Sequence, residues 1–168
     1  MKFNPDIHHR RSIRLKDYDY SSNGLYYITI CTQERVNLFG EIVGSTLCNC
    51  PNNIDEMIFK WLNEIGNKYA GVHIDKYVIM PNHVHFIAYI QDGYAGSPLS
   101  EIIGWFKTMT TNEYIRGVNT GLYISFNKRM WQRNYYERII RDKDEYQHVW
   151  QYIDQNPARW TEDEFYTP

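Results

Sequence analysis

The stretch YVIMPNHVHFIAYI, residues 77–90, decides the fold of this chain. It holds two apolar runs rich in Tyr, Val, Ile and Phe, and the Pro-Asn pair between them consists of turn formers. This pattern predicts a β-hairpin whose second strand begins at His83. Because alternate side chains of a strand share a face, His83 and His85 point the same way, whereas Val84 points toward the core.

The two histidines have two interpretations. Imidazoles two residues apart on one strand can bind a single metal ion, but histidine is also common on the wet face of a sheet. The next acidic residue is Asp92, beyond the predicted strand. A metal site would therefore need its remaining ligands from elsewhere in the chain.

Hydrophobic periodicity predicts the other elements. We expect strands over 25–32, 72–80 and 83–90, a short hairpin partner over 39–43, and a strand toward the end of 130–140. Helices are expected over 54–69, 99 to about 114, and 142–155, with irregular segments over 44–53 and 117–128. The order strand, helix, strand, strand, helix, strand predicts an α+β, ferredoxin-like (RRM-like) antiparallel sheet with helices on one face. The helix from residue 142 is an addition to that pattern.

Several residues at the predicted helix starts are suited to N-capping. Asn53 precedes the first helix, and Ser97 or Ser100 could cap the second. Asp142 followed by Glu145 resembles a capping box at the start of the third helix.

Length and composition bound the class of protein. For 168 residues we expect a single domain over residues 1–168, with residues 1–23 forming a basic N-terminal arm. No apolar run is long enough to cross a bilayer, so we expect no membrane partner. The cysteines Cys31, Cys48 and Cys50 lack zinc-finger spacing, and we interpret them as reduced thiols of a cytoplasmic protein.

Positive charge is concentrated in two segments, although the net charge is −2. These segments are residues 1–16 and 128–143, whereas the C-terminal tail is acidic over 162–164. Charge runs are usually solvated surface. Here the basic segments lie on both sides of the histidine pair in sequence, which favours a phosphate-bearing partner. The candidate contact residues are Arg10, Arg11, Arg14, Arg133 and Arg138.

The last predicted helix places His148, Tyr152 and Asn156 at four-residue intervals, on one face. One interpretation is an interfacial face with a packed tyrosine. The alternative is chemical, because a Tyr hydroxyl can act as a covalent nucleophile. A divalent metal on His83 and His85 could polarise a phosphate for that attack, and the amide oxygen of Asn156 could complete the ligand set.

At this point the sequence resembles a known family. The pattern His83-Val84-His85 after VIMPN (78–82) resembles the HUH motif of the small single-tyrosine, IS200-like transposases. More closely, the chain resembles the REP-associated tyrosine transposases. The stretches that carry this resemblance are RLKDYDYSSNGLYYITICTQER (14–35), LFGEI (38–42), KYVIMPNHVHFIAYI (76–90), WQRNYYERIIRD (131–142) and YIDQNP (152–157).

The resemblance implies a ferredoxin-like fold whose C-terminal helix carries the catalytic residue Tyr152. It implies that His83 and His85 bind Mg²⁺ or Mn²⁺ with Asn156 as third ligand, and that Tyr152 forms a 5′-phosphotyrosine link to single-stranded DNA. The implied partner is single-stranded DNA with palindromic hairpins, and we expect a monomer or homodimer that is cytoplasmic and nucleoid-associated. His148 takes no fixed role from the family and is kept as an accessory candidate.

The leading hypothesis is therefore a metal-dependent transposase that nicks and rejoins single-stranded DNA. The alternative is a ferredoxin-like module that binds nucleic-acid hairpins without cutting them. A third hypothesis is a metal-dependent hydrolase that releases its product to water. The presence of His83, His85 and Tyr152 favours an enzyme, because a pure binding module needs none of them.

Overall fold

The computed structural model describes residues 23–43, 46–48 and 53–168. The predicted N-terminal arm, with Arg10, Arg11 and Arg14, lies outside the described residues except for Asn23. The strands are β1 (Gly24–Cys31), β2 (Glu41–Val43), β3 (Thr46–Cys48), β4 (Val72–Met80), β5 (His83–Ile90) and β6 (Tyr136–Ile140). The helices are α1 (Ile54–Lys68), α2 (Leu99–Asn119) and α3 (Lys143–Gln155), and short 3₁₀ segments cover Gln33–Arg35 and Pro157–Glu162.

Four antiparallel strands form the main sheet in the order β4-β5-β1-β6. The register places Thr29 of β1 between His85 of β5 and Tyr136 of β6. This mixed architecture, with its antiparallel sheet and C-terminal helix, confirms the predicted fold class. The histidine-bearing strand is thus a central strand, paired on both sides.

Alternation along β1 and β5 separates two apolar layers. Even-numbered residues such as Tyr26 and Val84 join the main core together with α1 and α2. Odd-numbered residues face α3, where Ile87 packs with Val149 and Ile153 in a smaller core. The predicted hairpin therefore holds two layers apart and directs its histidines toward the α3 side.

Polar contacts tie α3 to the edge strand β4. The Tyr146 hydroxyl donates to Asp75 Oδ2 at 2.7 Å, and Lys76 Nζ lies 2.6 Å from Asp154 Oδ1. Both contacts arise at a β-bulge that follows Ile74, and such a bulge reorients successive side chains. The helix is therefore held by a small core and by surface contacts.

Two predicted boundaries are wrong. Helix α2 continues to Asn119 instead of ending near residue 114, so the predicted irregular segment 117–128 begins later. It continues because the Tyr123 ring packs directly on Gly117, which stabilises this last turn before Gly121 with φ +77° ends it. The predicted loop over 44–53 contains strand β3, because pairing with β2 rather than local composition sets its conformation.

Of the N-caps predicted for the three helices, only that of α3 uses a side-chain hydrogen bond within the described residues. Asp142 Oδ1 accepts a bond from the Glu145 amide, which confirms the predicted N-cap. Glu145 Oε2 accepts a bond from the amide of Arg141, one residue before the N-cap, so the start resembles a capping box as expected. The prediction of Ser97 or Ser100 at α2 is wrong, because Pro98 is its N-cap and offers no side-chain bond. Asn53 does precede α1, but it adopts φ 46° and caps no backbone amide with its side chain. Within the described residues, no helix combines the length and apolar character that a bilayer crossing requires.

Candidate active site

The two histidines of β5 lie side by side in the interior of the protein. Their ring centroids are 4.4 Å apart, and both side chains are fully buried. They share a face, as their spacing predicts. That face is not the wet surface that one interpretation assumed, because α3 and C-terminal residues such as Trp160 and Phe165 cover it.

Hydrogen bonds decide which nitrogen of each ring remains available. His83 Nδ1 is 2.8 Å from Asn82 Oδ1, and because an amide oxygen only accepts, Nδ1 carries the hydrogen and Nε2 keeps its lone pair. His85 Nδ1 contacts the hydroxyls of Tyr27 at 2.7 Å and Thr29 at 2.8 Å. Within the part of the chain that the structure describes, neither Nε2 atom has a hydrogen-bond partner.

Two further polar groups, Asp163 beside the histidines and Asn156 in contact with Asp163, complete the cluster. Asn156 follows the last turn of α3, is 4 % exposed, and has an Oδ1 atom without a hydrogen-bond partner among the described residues. Asp163 offers a carboxylate oxygen, and this oxygen and the nitrogens of His83 and His85 all lie within 4.8 Å of one another. Asn156 Nδ2 donates to Asp163 Oδ2 at 2.9 Å, so the two candidates are in contact.

These atoms fit a divalent cation. Buried polar atoms are normally hydrogen-bonded, so several partnerless atoms at one point indicate a ligand. Oxygen donors suit Mg²⁺ and Mn²⁺, and imidazoles suit the transition metals. Outer contacts on the Nδ1 side orient the two rings in the way that metal-binding histidines are usually oriented. The residues present therefore fit the expected metal, and Asp163 is a ligand candidate that the sequence analysis missed.

Burial keeps both imidazoles neutral, which is the form that binds metals. It lowers the pKa of His83 to about 3, and the charge of Arg35 adds to this effect. It also lowers the pKa of His85 well below the usual value, with His83 as the next contributor.

We expect the metal-free protein to lose stability as the pH falls below about 6.5. Below this pH, the histidines of the unfolded chain become protonated while those of the folded chain stay neutral, and for His83 this difference extends down to about pH 3. Acid therefore favours unfolding. The loss approaches roughly 1.4 kcal/mol per pH unit for each histidine. Chemical denaturation in the presence of a chelator measures the free energy of unfolding of the wild type and of His83→Gln at each pH. Subtracting one pH dependence from the other isolates the histidine, because both proteins contain the same carboxylates. Equal pH dependence of the two proteins would contradict this account.

Tyr152 packs its ring against His85, with centroids 5.3 Å apart and planes at 70°. Its hydroxyl donates to Asp163 Oδ2 at 3.3 Å. Burial, followed by the charge and hydrogen bond of Asp163, raises the pKa of Tyr152 to about 12, so the phenol is protonated at neutral pH. Of the predicted row on α3, Tyr152 contacts His85 and Asn156 contacts Asp163, whereas His148 is exposed on the preceding turn.

The other tyrosines occupy different environments. The Tyr146 hydroxyl is bound to Asp75 of β4, and the Tyr135 ring packs against the main core. Tyr27 was missed by the sequence analysis, yet its hydroxyl reaches His85. It contacts the Nδ1 side of that ring, and burial raises its pKa strongly. Tyr152 is therefore the better placed candidate for a nucleophile.

A cavity of about 710 Å³ opens beside Tyr152, on the side of β6. Tyr27, Thr29 and Cys31 line it from β1, and Tyr136 lines it from β6. Burial raises the pKa of Cys31 to about 11, so the thiol stays protonated. The cavity brings solvent-accessible space to the candidate nucleophile.

The family model described as "Transposase IS200 like" matches residues 21–156, which is most of the chain. The chain belongs to the IS200-like transposase family. The match includes the histidine strand and ends at Asn156, so it covers Tyr152 but not Asp163.

Further comparisons give three proteins similar to this transposase-family chain. An uncharacterized protein of Haemophilus influenzae is 37 % identical over 98 % of this chain and 97 % of its own length. The solved structure of a REP-associated tyrosine transposase bound to a REP hairpin superposes with a TM-score of 0.61 at 19 % identity, covering 89 % of this chain and 74 % of that one. A proposed transposase of Deinococcus radiodurans gives a TM-score of 0.51 at 13 % identity, over 86 % of this chain and 97 % of its own. At these identities the two structures show a shared fold.

Among the candidate arginines of this IS200-like transposase, two lie in the described residues. Arg133 is exposed and lines a groove with Lys128 and Arg129. Arg138 lines the cavity beside Tyr152, but its guanidinium is paired with Glu145. Arg133 is therefore the more available cation for a phosphate.

The turn residue Asn82 has a second function that its sequence context did not reveal. Besides orienting His83, its amide donates to the backbone oxygens of Arg35 at 3.1 Å and Phe165 at 2.9 Å. One fully buried side chain thus joins the hairpin, the loop after β1 and the C-terminal segment. No periodic pattern marks such a residue.

We expect Asn82→Ala to lower Mn²⁺ affinity by roughly 10- to 100-fold, the usual effect of removing an outer partner of a metal-binding histidine. Isothermal titration with Mn²⁺ measures the change. Asn82→Asp is the matched control, because it keeps an acceptor for His83 Nδ1 while losing the amide donor. If the two variants weaken binding equally, the orientation of His83 is not the cause.

Proposed function

We propose that this chain is a metal-dependent single-stranded DNA endonuclease and strand transferase that acts on hairpin-containing repeats through a 5′-phosphotyrosine on Tyr152. Membership of the family supports a transposase function. The observation that carries the finer proposal is the contact of the Tyr152 ring with His85, next to two buried Nε2 atoms without hydrogen-bond partners among the described residues.

The proposed metal ligands are His83, His85 and Asn156. We assign Asp163, the further ligand candidate, to the proton transfer instead. Mg²⁺ or Mn²⁺ bound there would draw charge from the non-bridging oxygens of the scissile phosphate. The chain contributes the orientation of this site, because Asn82 and Thr29 fix the imidazole rings through Nδ1. Burial also keeps water from competing for the ligand atoms.

Tyr152 supplies the nucleophile in this proposal. Its hydroxyl oxygen attacks phosphorus, a new P–O bond forms, and the bond from phosphorus to the 3′ oxygen of the preceding nucleotide breaks. Asp163 Oδ2, which already accepts a bond from the phenol, takes the phenolic proton, and the leaving 3′ oxygen gains a proton. One phosphodiester replaces another, so attack by the 3′ hydroxyl in the reverse direction rejoins the strand without ATP.

The proposed substrate is single-stranded DNA that folds into palindromic hairpins. A relative of the same fold is described as bound to a REP hairpin. In this chain, Lys128, Arg129 and Arg133 line an exposed groove that can contact phosphates. A monomeric or homodimeric state and a location at the nucleoid stay predictions.

A hairpin-binding module without catalysis is the alternative. It would share the fold and the basic groove. It would not require a fully buried histidine pair facing a tyrosine and a carboxylate, and that cluster favours the enzyme.

Incubation of the protein with hairpin-bearing single-stranded DNA and Mn²⁺, followed by a denaturing gel, tests the proposal. We expect a covalent DNA–protein adduct that disappears when a chelator replaces the metal. Cleavage without an adduct would indicate the hydrolase instead. Binding without cleavage would indicate the binding module.

We expect DNA affinity to fall steeply with salt, because phosphate contacts release counterions. Arg133→Ala should reduce the slope of log affinity against log salt by about one, the change expected for one lost phosphate contact. Arg138→Ala is the comparison and should change the slope less, since Arg138 is already paired with Glu145. A truncation that removes residues 1–16 measures the contribution of Arg10, Arg11 and Arg14. Binding that does not respond to salt would refute these contacts.

A further inference from the structure

In the segment 131–137, WQRNYYE, only Arg133 has a role in the proposed function described above. Its side chains divide between the core and the cavity beside Tyr152. Trp131 is buried and donates from Nε1 to Thr110 Oγ1 at 2.8 Å, which fixes the start of the segment. Gln132, Asn134 and Tyr136 line the cavity. Gln132 also borders the basic groove, and Arg133 lines only that groove.

Lys107 of α2 holds the backbone of this segment in place. Its Nζ donates to the carbonyl oxygens of Gln132 at 3.0 Å and Asn134 at 3.1 Å, and it lies 3.5 Å from that of Arg133. Burial lowers the pKa of Lys107 to about 8, so the amine still carries its charge at neutral pH. Because one ammonium group contacts three successive carbonyl oxygens, the backbone positions that carry the side chains of Gln132 and Asn134 are fixed.

The cavity suits an aromatic, hydrogen-bonding ligand. Its volume of about 710 Å³ lies within the range of roughly 300–1,000 Å³ that is typical of small-molecule sites. The rings of Tyr27 and Tyr136 line it with centroids 6.1 Å apart, and Tyr136 is 39 % exposed, so part of this tyrosine is accessible to a ligand. Amide side chains such as those of Gln132 and Asn134 pair with the donor and acceptor edges of nucleobases.

We propose that this cavity binds one unstacked nucleobase of the single strand that flanks the phosphate attacked by Tyr152, with Gln132 and Asn134 contacting the edge of the base. Tyr136 provides the stacking surface. Lys107 is a positioning residue, because it acts through the backbone of the segment. This inference rests on the proposed function for the nature of the strand, and it adds the residues that select the nucleotide at the cleavage position.

A selection experiment tests the site. A pool of DNA hairpins with randomised single-stranded flanks is bound to the Tyr152→Phe variant, which cannot trap the DNA covalently, and the bound fraction is sequenced. We expect one flanking position at which a single base is enriched by about 10-fold, within the discrimination that a good amide–base contact gives. An abasic nucleotide at that position should weaken binding by a similar factor.

Variants of neighbouring residues separate base selection from general binding. Adding Asn134→Ala or Gln132→Ala should abolish the enrichment and the abasic penalty. Arg133→Ala is the matched control, because its side chain lies between the two amides in sequence but lines the groove. It should weaken all sequences alike and keep the base preference.

The possible failures are distinguishable. A covalent adduct from the wild type without any flanking preference, or a preference that survives both amide variants, overturns the nucleobase site and leaves the proposed function intact. Absence of any binding to the hairpin pool overturns both.

Discussion

Tyr152→Phe should abolish the covalent DNA–protein adduct while leaving folding and hairpin binding unchanged. The substitution keeps the ring that packs against His85 and removes only the hydroxyl. The bond from that hydroxyl to Asp163 is exposed and 3.3 Å long, so its loss costs little stability. Removing a covalent nucleophile typically lowers a rate by several orders of magnitude, so we expect a loss of at least about 1,000-fold. Adduct formation on a denaturing gel and binding by anisotropy measure the two effects.

Two tyrosines serve as controls for this assignment. Tyr146 lies on the same helix, but its hydroxyl contacts Asp75 and not the histidines. Adduct formation should therefore persist in Tyr146→Phe. Tyr27→Phe removes a contact to His85 Nδ1, so it should slow the reaction without abolishing it. Peptide mapping of the adduct gives an independent answer. A nucleotide found on Tyr27 or Tyr146 would show that the nucleophile is misassigned even if the reaction is the expected one.

His83→Ala and His85→Ala should each abolish cleavage and weaken Mn²⁺ binding by at least about 100-fold, because each removes a ligand that no neighbouring side chain replaces. DNA affinity should change little, since it depends mainly on phosphate contacts remote from the imidazoles. Titration with Mn²⁺ and the adduct assay measure the two losses.

His73→Ala is the control for this pair. His73 is exposed on the edge strand β4 and contacts Gln91, so its loss should affect neither metal nor cleavage. Because a buried histidine can also matter for packing, thermal denaturation of all three variants without metal accompanies the assay. If His83→Ala and His85→Ala both fold and keep the Mn²⁺ affinity of the wild type, the two histidines are not metal ligands.

The main sheet and its helices were predictable from the sequence because their signals are local. The alternation around residues 77–90 and the helical spacing over 54–69 set strands and helix without tertiary information. The same alternation placed His83 and His85 on one face. Their burial could not be predicted, because it depends on a C-terminal segment that has no periodicity of its own.

The missed residues have a common physical reason. Asp163 and Asn82 act through contacts between segments distant in sequence, such as the bonds from Asn82 to Phe165 and from Asn156 to Asp163. In the sequence, Asp163 is one acidic residue in an acidic tail, and Asn82 is one turn former. Resemblance to a family indicated Tyr152 and Asn156, but it marks the positions of a motif and not the partners that surround them.

The small core beneath α3 has a consequence for motion. The central strands are anchored by the large core shared with α1 and α2, whereas α3 rests on a few apolar side chains, including Ile140 and Val149, and on surface pairs such as Lys76 with Asp154. Local opening free energy follows the amount of buried apolar contact, so α3 can detach at a lower cost than the sheet can unfold. We therefore expect Tyr152 and the two histidines to belong to different cooperative units. Slow amide hydrogen exchange in β5 and faster exchange in α3 are the signature of such a division.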